Sequence, residues 1–283
     1  MRRHLGLFST ATRFALTEHL RNRFAMALVA AFIPLWTTLA YLAAPDAPVR
    51  MRLRATGEVL LPRGNQLTEI TGALNAVTLI TGFMMFAATF AGHDFDRRLA
   101  MAGYPRIHLV LAKVAALALA SAAVSAYATA LFCVTWTPRQ PVLLAVALFS
   151  AAMTYGVLGV GFGAMMGREV EGMFAILMTS VIDLGLQNPV TSAGSDSPVT
   201  RFLPSYGAVQ TGTAAGFSTT GVPGYVAIQF GWLAVTGIIA LIAFLRRTRN
   251  TLPSTAVSCT PGPGARSGGR AHEAINVGTT GSG

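Results

Sequence analysis

Residues 141–167 read PVLLAVALFSAAMTYGVLGVGFGAMMG, and none of them is charged. A helix of this length at a water interface needs a charged face. This one is apolar all round, so its surroundings are lipid or other apolar helices. Five more stretches repeat the pattern, at 24–44, 70–92, 114–136, 172–190 and 222–245. Each is near the ~20 residues that a helix needs to cross a bilayer. The one charge within the six is Asp183. The pattern predicts an all-α membrane protein with six transmembrane helices.

Composition agrees. The chain has 283 residues, 53% hydrophobic and only 11% charged, where soluble domains carry about 25% charged residues. Its net charge of +10 would point to nucleic acid in a soluble protein, but the cations cluster at the ends of the apolar stretches and face lipid headgroups instead. Twenty of the 21 basic residues are Arg, a bias that reads as codon usage in a GC-rich bacterial genome. The first 23 residues hold five Arg and lack a compact apolar core with small cleavage residues, so they are not read as a secretory signal.

Charge also sets an expected orientation. With both termini inside, the inner side carries fifteen basic residues, in the N-terminal arm, at 97–113, at Arg168, at 246–249 and in the tail. The outer side carries six: Arg50, Arg52, Arg54, Arg63, Arg139 and Arg201. The asymmetry predicts cytoplasmic N and C termini. Cys133 and Cys259 then lie on opposite sides and cannot pair, and no Cys/His cluster has metal-site spacing.

The connecting segments have their own signatures. Residues 5–22 mix Leu and Phe with Arg13, Glu18 and Arg21, the pattern of a helix lying in the membrane interface. Residues 49–54 alternate Val-Arg-Met-Arg-Leu-Arg, which predicts a short strand pairing with 59–61 across Gly57. Gly159, Gly163 and Gly167 form a repeated small-xxx-small pattern for close helix packing. Residues 203–221 are small, uncharged and hydroxyl-rich, so a short re-entrant or surface helix is expected before the last span. From Asn250 the chain is rich in Gly, Pro, Ser and Thr and is expected to be a disordered cytoplasmic tail. The domain organisation is therefore read as a membrane domain over 1–249 and a tail over 250–283.

The sequence excludes some chemistry. A P-loop needs Gly-Lys-Ser/Thr, and the only lysine, Lys113, lies between Ala112 and Val114. No Ser/His/Asp or Glu/His set lies within the spans, so the chain is not expected to be an enzyme. Ion-coupled transporters place several ionisable groups at mid-membrane. Here Asp183 stands alone, with Thr179 and Gln187 on its helical face at i−4 and i+4. That stripe marks a candidate substrate pathway, and the competing reading makes it structural.

The stretch 90–113 is more specific: Phe-Ala-Gly-His-Asp-Phe-Asp-Arg-Arg-Leu-Ala-Met-Ala-Gly-Tyr-Pro-Arg-Ile-His-Leu-Val-Leu-Ala-Lys. Asp94, Asp96, Arg97, Arg98, Gly103, Pro105, Arg106 and Lys113 follow the order seen in ABC-2 type permeases of ABC transporters, and the chain resembles that family here. The family's Glu and its Gly-Thr pair before the leucine are missing. The likeness extends over about 5–249. It takes in the six spans, the turn Arg168-Glu169-Val170-Glu171, and the Leu-Pro stretch before span six.

The resemblance implies a membrane permease subunit of a bacterial ABC exporter in the cell membrane. ATP and Mg would be handled by a separate ATP-binding subunit, and a second permease copy would complete a homodimer or heterodimer. It implies that Asp94, Asp96, Arg97, Arg98, Gly103, Arg106, Arg168, Glu169 and Glu171 couple to that subunit. The substrate expected is an amphipathic drug, antibiotic or lipid-like molecule. An ion-coupled secondary transporter is the alternative, with an intramembrane enzyme behind it.

Overall fold

The computed structural model describes residues 23–54, 56–92, 98–99, 101–102, 106–192, 195 and 197–249, with Arg13 and Thr17. The interfacial segment, most of the 94–103 loop and the tail lie outside the described residues. Within them the chain is mostly helical. Seven α-helices follow in order: α1 (Arg23–Ala43), α2 (Gly64–Ala91), α3 (Arg106–Thr135), α4 (Pro141–Met165), α5 (Glu169–Gln187), α6 (Tyr206–Phe217) and α7 (Pro223–Arg249). Six of them occupy the six apolar stretches. Four, at Gly64–Ala91, Leu109–Thr135, Pro141–Met165 and Pro223–Arg246, are long and apolar enough to cross a membrane. The chain is thus a membrane protein by the length and composition of its helices. In α1 the apolar part is the shorter Val29–Ala43. Helix α5 has 19 residues and carries Glu169, Glu171 and Asp183.

Proline sets several boundaries. Pro141 and Pro223 open α4 and α7, where the missing N–H is not needed. Pro189 ends α5, because the residue before a proline is pushed to extended backbone, and Asn188 has φ −80° and ψ 114°. Several expected boundaries move, two of them by six residues or more. Helix α2 starts at Gly64 and α3 at Arg106, well ahead of residues 70 and 114. An apolar window ends where polar side chains begin, but the backbone hydrogen-bond ladder continues past it. Glu69 and Lys113 therefore sit inside helices, and Asp183 is not the only charge in these six.

Helices α2 and α4 form the centre. About 72% and 67% of their apolar windows are buried, against 39% for α3 and 22% for α7. Their closeness comes from glycine. A Cβ at Gly159 would overlap the Gly82 carbonyl oxygen, and one at Gly163 would meet the Phe86 carbonyl oxygen at 3.0 Å. Gly167 meets nothing and takes no part in the contact.

The hairpin forms as read from the alternation. Strands β1 (Met51–Arg52) and β2 (Val59–Leu60) pair antiparallel, with Met51 opposite Leu60 and Arg52 opposite Val59. Gly57 takes φ +73° in the turn, a conformation that a side chain would strain. Leu53 is fully buried against Ala214 of α6 and Val222. The hairpin thus lies over α6. Helix α6 has 12 residues, about 18 Å, too short for a ~30 Å hydrocarbon core. It nevertheless buries ten of its residues, from Tyr206 through Gly216, against α4 and α7.

Candidate functional site

A helix that stops inside a bundle leaves four N–H groups without intrahelical partners. In α6 the N-cap is Ser205, and its side chain makes no cap bond to the helix. Two other helices supply what is missing. The Asp183 carboxylate of α5 accepts from the Ser205 backbone N–H at 3.0 Å. The Gln229 Oε1 of α7 accepts from the Ala208 backbone N–H at 2.9 Å. Within one chain segment, a capping box joins these same two positions, the N-cap and N3. Here the two bonds come from residues 22 and 21 positions away. The negative carboxylate also faces the positive end of the α6 dipole.

Each capping group is itself held. Tyr155 Oη donates to Asp183 Oδ2 at 2.6 Å, and Gln187 Nε2 donates to Asp183 Oδ1 at 2.6 Å and to Ser205 Oγ at 3.0 Å. Gln229 Nε2 donates to Thr154 Oγ1 at 2.9 Å and to the Pro204 carbonyl at 3.0 Å. Thr154 and Tyr155 are neighbours on the central helix α4. All of these side chains are buried, Asp183 at 1% exposure and Gln229 at 0%. The buried carboxylate thus accepts from a phenol, an amide and a backbone N–H, each a charge-assisted hydrogen bond. One turn away, Asn75 Nδ2 and Thr78 Oγ1 of α2 reach Ser180 Oγ at 3.0 and 2.8 Å and tie α5 to the centre.

Among the pathway candidates, Asp183 and Gln187 come together in this cluster. Thr179 does not join them through its side chain. It is half-buried, and its hydroxyl bonds the Ala175 carbonyl of its own helix at 2.7 Å. Tyr155, Ser205 and Gln229 were not singled out from the sequence. An amide and a phenol within apolar helices are visible there as polar groups in need of partners, but which helices provide the partners is a tertiary fact. Glu69 was missed because it precedes the apolar window. It is buried and accepts from Trp136 Nε1 at 2.7 Å, which joins the first turns of α2 to the end of α3.

Of the coupling candidates, Asp94, Asp96, Arg97 and Gly103 lie outside the described residues. Arg98 is exposed, and Arg106 opens α3. Arg168 and Glu171 form an exposed ion pair at 3.5 Å at the start of α5, with Glu169 in the same turn. These residues share the end of the bundle where α4 finishes, α5 starts and α7 finishes. Two arginines of the hairpin are engaged. Arg52 Nε donates to the Gly57 carbonyl at 3.1 Å, and Arg54 donates to the Ser195 carbonyl at 3.0 Å and lies over the Tyr206 ring.

No protein-family model matches the chain, and no curated protein matches it.

Proposed function

We propose that this chain is the membrane permease subunit of a bacterial ABC exporter of the ABC-2 type, in the inner membrane with both termini cytoplasmic. The order of its elements carries the reading. Six helices lie over apolar stretches, and a buried helix too short to cross precedes the last of them. All six cross the bilayer in this reading, and two copies, identical or not, enclose the pathway. ATP and Mg belong to a separate subunit. The loop 94–103, with Arg106 and the turn Arg168-Glu169-Val170-Glu171, transmits the motion of that subunit. Asp183 and Gln187 serve the pathway by holding α6, and Thr179 continues the same face of α5. The substrate class is an amphipathic drug, antibiotic or lipid-like molecule.

The test is a search of the neighbouring genes for a P-loop ATPase, followed by reconstitution of this chain with the product found. The pair should co-purify, and the permease should change the ATPase rate. Replacing Asp94 and Asp96 together by Arg should remove that change while the permease remains in the membrane. An unaltered ATPase response in this variant would overturn the assignment of the loop. Absence of any ATPase that binds the chain would overturn the permease reading itself.

A further inference from the structure

The register of the hairpin sorts its side chains onto two faces. Met51 stands opposite Leu60 and Arg52 opposite Val59, and the bridge between Pro48 and Arg63 keeps the same register. Arg50 therefore stands opposite Leu61. Side chains alternate across a strand, so Arg50, Arg52, Val59 and Leu61 share one face. Met51, Leu53 and Leu60 share the other. That second face packs down on the helices. Leu53 meets Ala214 and Val222, and Leu60, Leu143 and Tyr225 close round them.

The first face is left uncovered. Both arginines are exposed, and Val59 and Leu61 are 51% and 67% exposed. Among the described residues neither Arg50 nor Arg52 has an ion pair. The acids nearest in sequence are engaged elsewhere. Asp46 pairs with Arg63 at 3.4 Å, and Glu58 accepts from Ser218 Oγ at 3.4 Å. The face thus combines two cations with two bare aliphatic side chains.

Its level in the bundle decides what such a face meets. Leu143 and Tyr225 lie in the first turns of α4 and α7, where two helices able to cross a membrane begin. The hairpin packed on them lies at the border of the hydrocarbon layer, the level at which Tyr and Trp side chains collect among headgroups. In water, Val59 and Leu61 would leave apolar area uncovered. At that border the four side chains match two layers at once. The aliphatic pair suits the ester ends of acyl chains, and the guanidiniums suit phosphate oxygens.

We propose that this face of the hairpin docks on the headgroup layer of the bilayer and selects anionic phospholipid there, with phosphate against Arg50 and Arg52 and acyl ester ends against Val59 and Leu61. The inference rests on the membrane character of α4 and α7 and is independent of the transport reading.

The full chain would be placed in nanodiscs of equal dioleoyl phosphatidylglycerol and dioleoyl phosphatidylcholine. A bimane is attached at Leu61→Cys in a Cys133→Ala, Cys259→Ala background, and one lipid or the other carries a nitroxide near the ester end of an acyl chain. Both labelled lipids should quench the bimane. Phosphatidylglycerol should associate at least about fivefold more strongly, the factor that one cation near a membrane surface supplies. Arg50→Gln with Arg52→Gln should abolish that preference while quenching by phosphatidylcholine persists. Val59→Asp should reduce quenching by both lipids. Emission of a water-exposed bimane with no quenching by either lipid would show a solvated strand face and overturn the docking. Equal quenching by the two lipids would overturn the selection of anionic lipid. An unchanged preference in the double variant would overturn the assignment of the two arginines.

Discussion

Consider removal of the carboxylate that caps α6. In Asp183→Ala the Ser205 N–H loses its acceptor while buried, which costs about 1–3 kcal/mol. Tyr155 and Gln187 each lose a bond, but each keeps a second contact, at the Thr179 carbonyl and at Ser205 Oγ. Side-chain bonds inside membrane bundles are worth about 0.6 kcal/mol each, so these two add roughly 1 kcal/mol. The vacated volume adds about 1 kcal/mol more. The sum is about 3–5 kcal/mol, which lowers the melting temperature by about 10 °C.

Asp183→Asn behaves differently. Its Oδ1 still accepts from Tyr155 and Ser205, and the Gln187 amide turns over so that Oε1 accepts from the new Nδ2. The cost falls to about 1–2 kcal/mol, from the loss of charge assistance and of the Gln187 amide's present bonds. Differential scanning fluorimetry in detergent measures both variants. A cysteine placed at buried Thr213 of α6, in a Cys133→Ala and Cys259→Ala background, reports release of the helix. Position 213 should resist a water-soluble maleimide in the parent and in Asp183→Asn, and react in Asp183→Ala. An Asp183→Ala protein that melts within 1 °C of the parent and keeps position 213 protected would refute the capping argument.

Other outcomes follow from single contacts. Gly159→Val drives a branched side chain into the α2 backbone and should cost about 3 kcal/mol or more, seen as lost accumulation of folded protein. Gly185→Ala, at an exposed position in α5 with no atom within 4 Å of the added carbon, should instead stabilise by up to about 1 kcal/mol in the same melting assay. Arg168→Ala breaks only an exposed ion pair, so stability should change by less than about 0.5 kcal/mol; if the turn touches an ATP-binding subunit, coupled transport should fall nonetheless. A reporter active only outside the cell, fused after Arg249, should stay silent, and strong activity there would reverse the proposed orientation. Truncation after Asn250 should leave expression and melting temperature unchanged, because the removed segment has too little apolar content to pack.

Much of the helical framework was legible from residue order. Apolar runs of span length mark six helices because a backbone in a low-dielectric setting must satisfy its own hydrogen bonds. The hairpin followed from period-two alternation around Gly57, and the short helix before the last one from small uncharged residues. What was not legible was where polar groups go once helices meet. Gly159 and Gly163 announced a close contact, but not that its partner is the Gly82–Phe86 backbone of α2. Glu69 and Lys113 fell outside windows defined by side-chain hydropathy, although the backbone ladder carries both helices past those limits.

The site divides in the same way. Asp183 and Gln187 stand on one face by helical period alone, and that much the residue order determined. Their purpose is set by Ser205, Tyr155 and Gln229, which lie on a loop and two other helices. A hydrogen bond over 22 residues leaves no periodic trace, because its geometry depends on how α5, α6 and α7 are stacked rather than on spacing within any one of them.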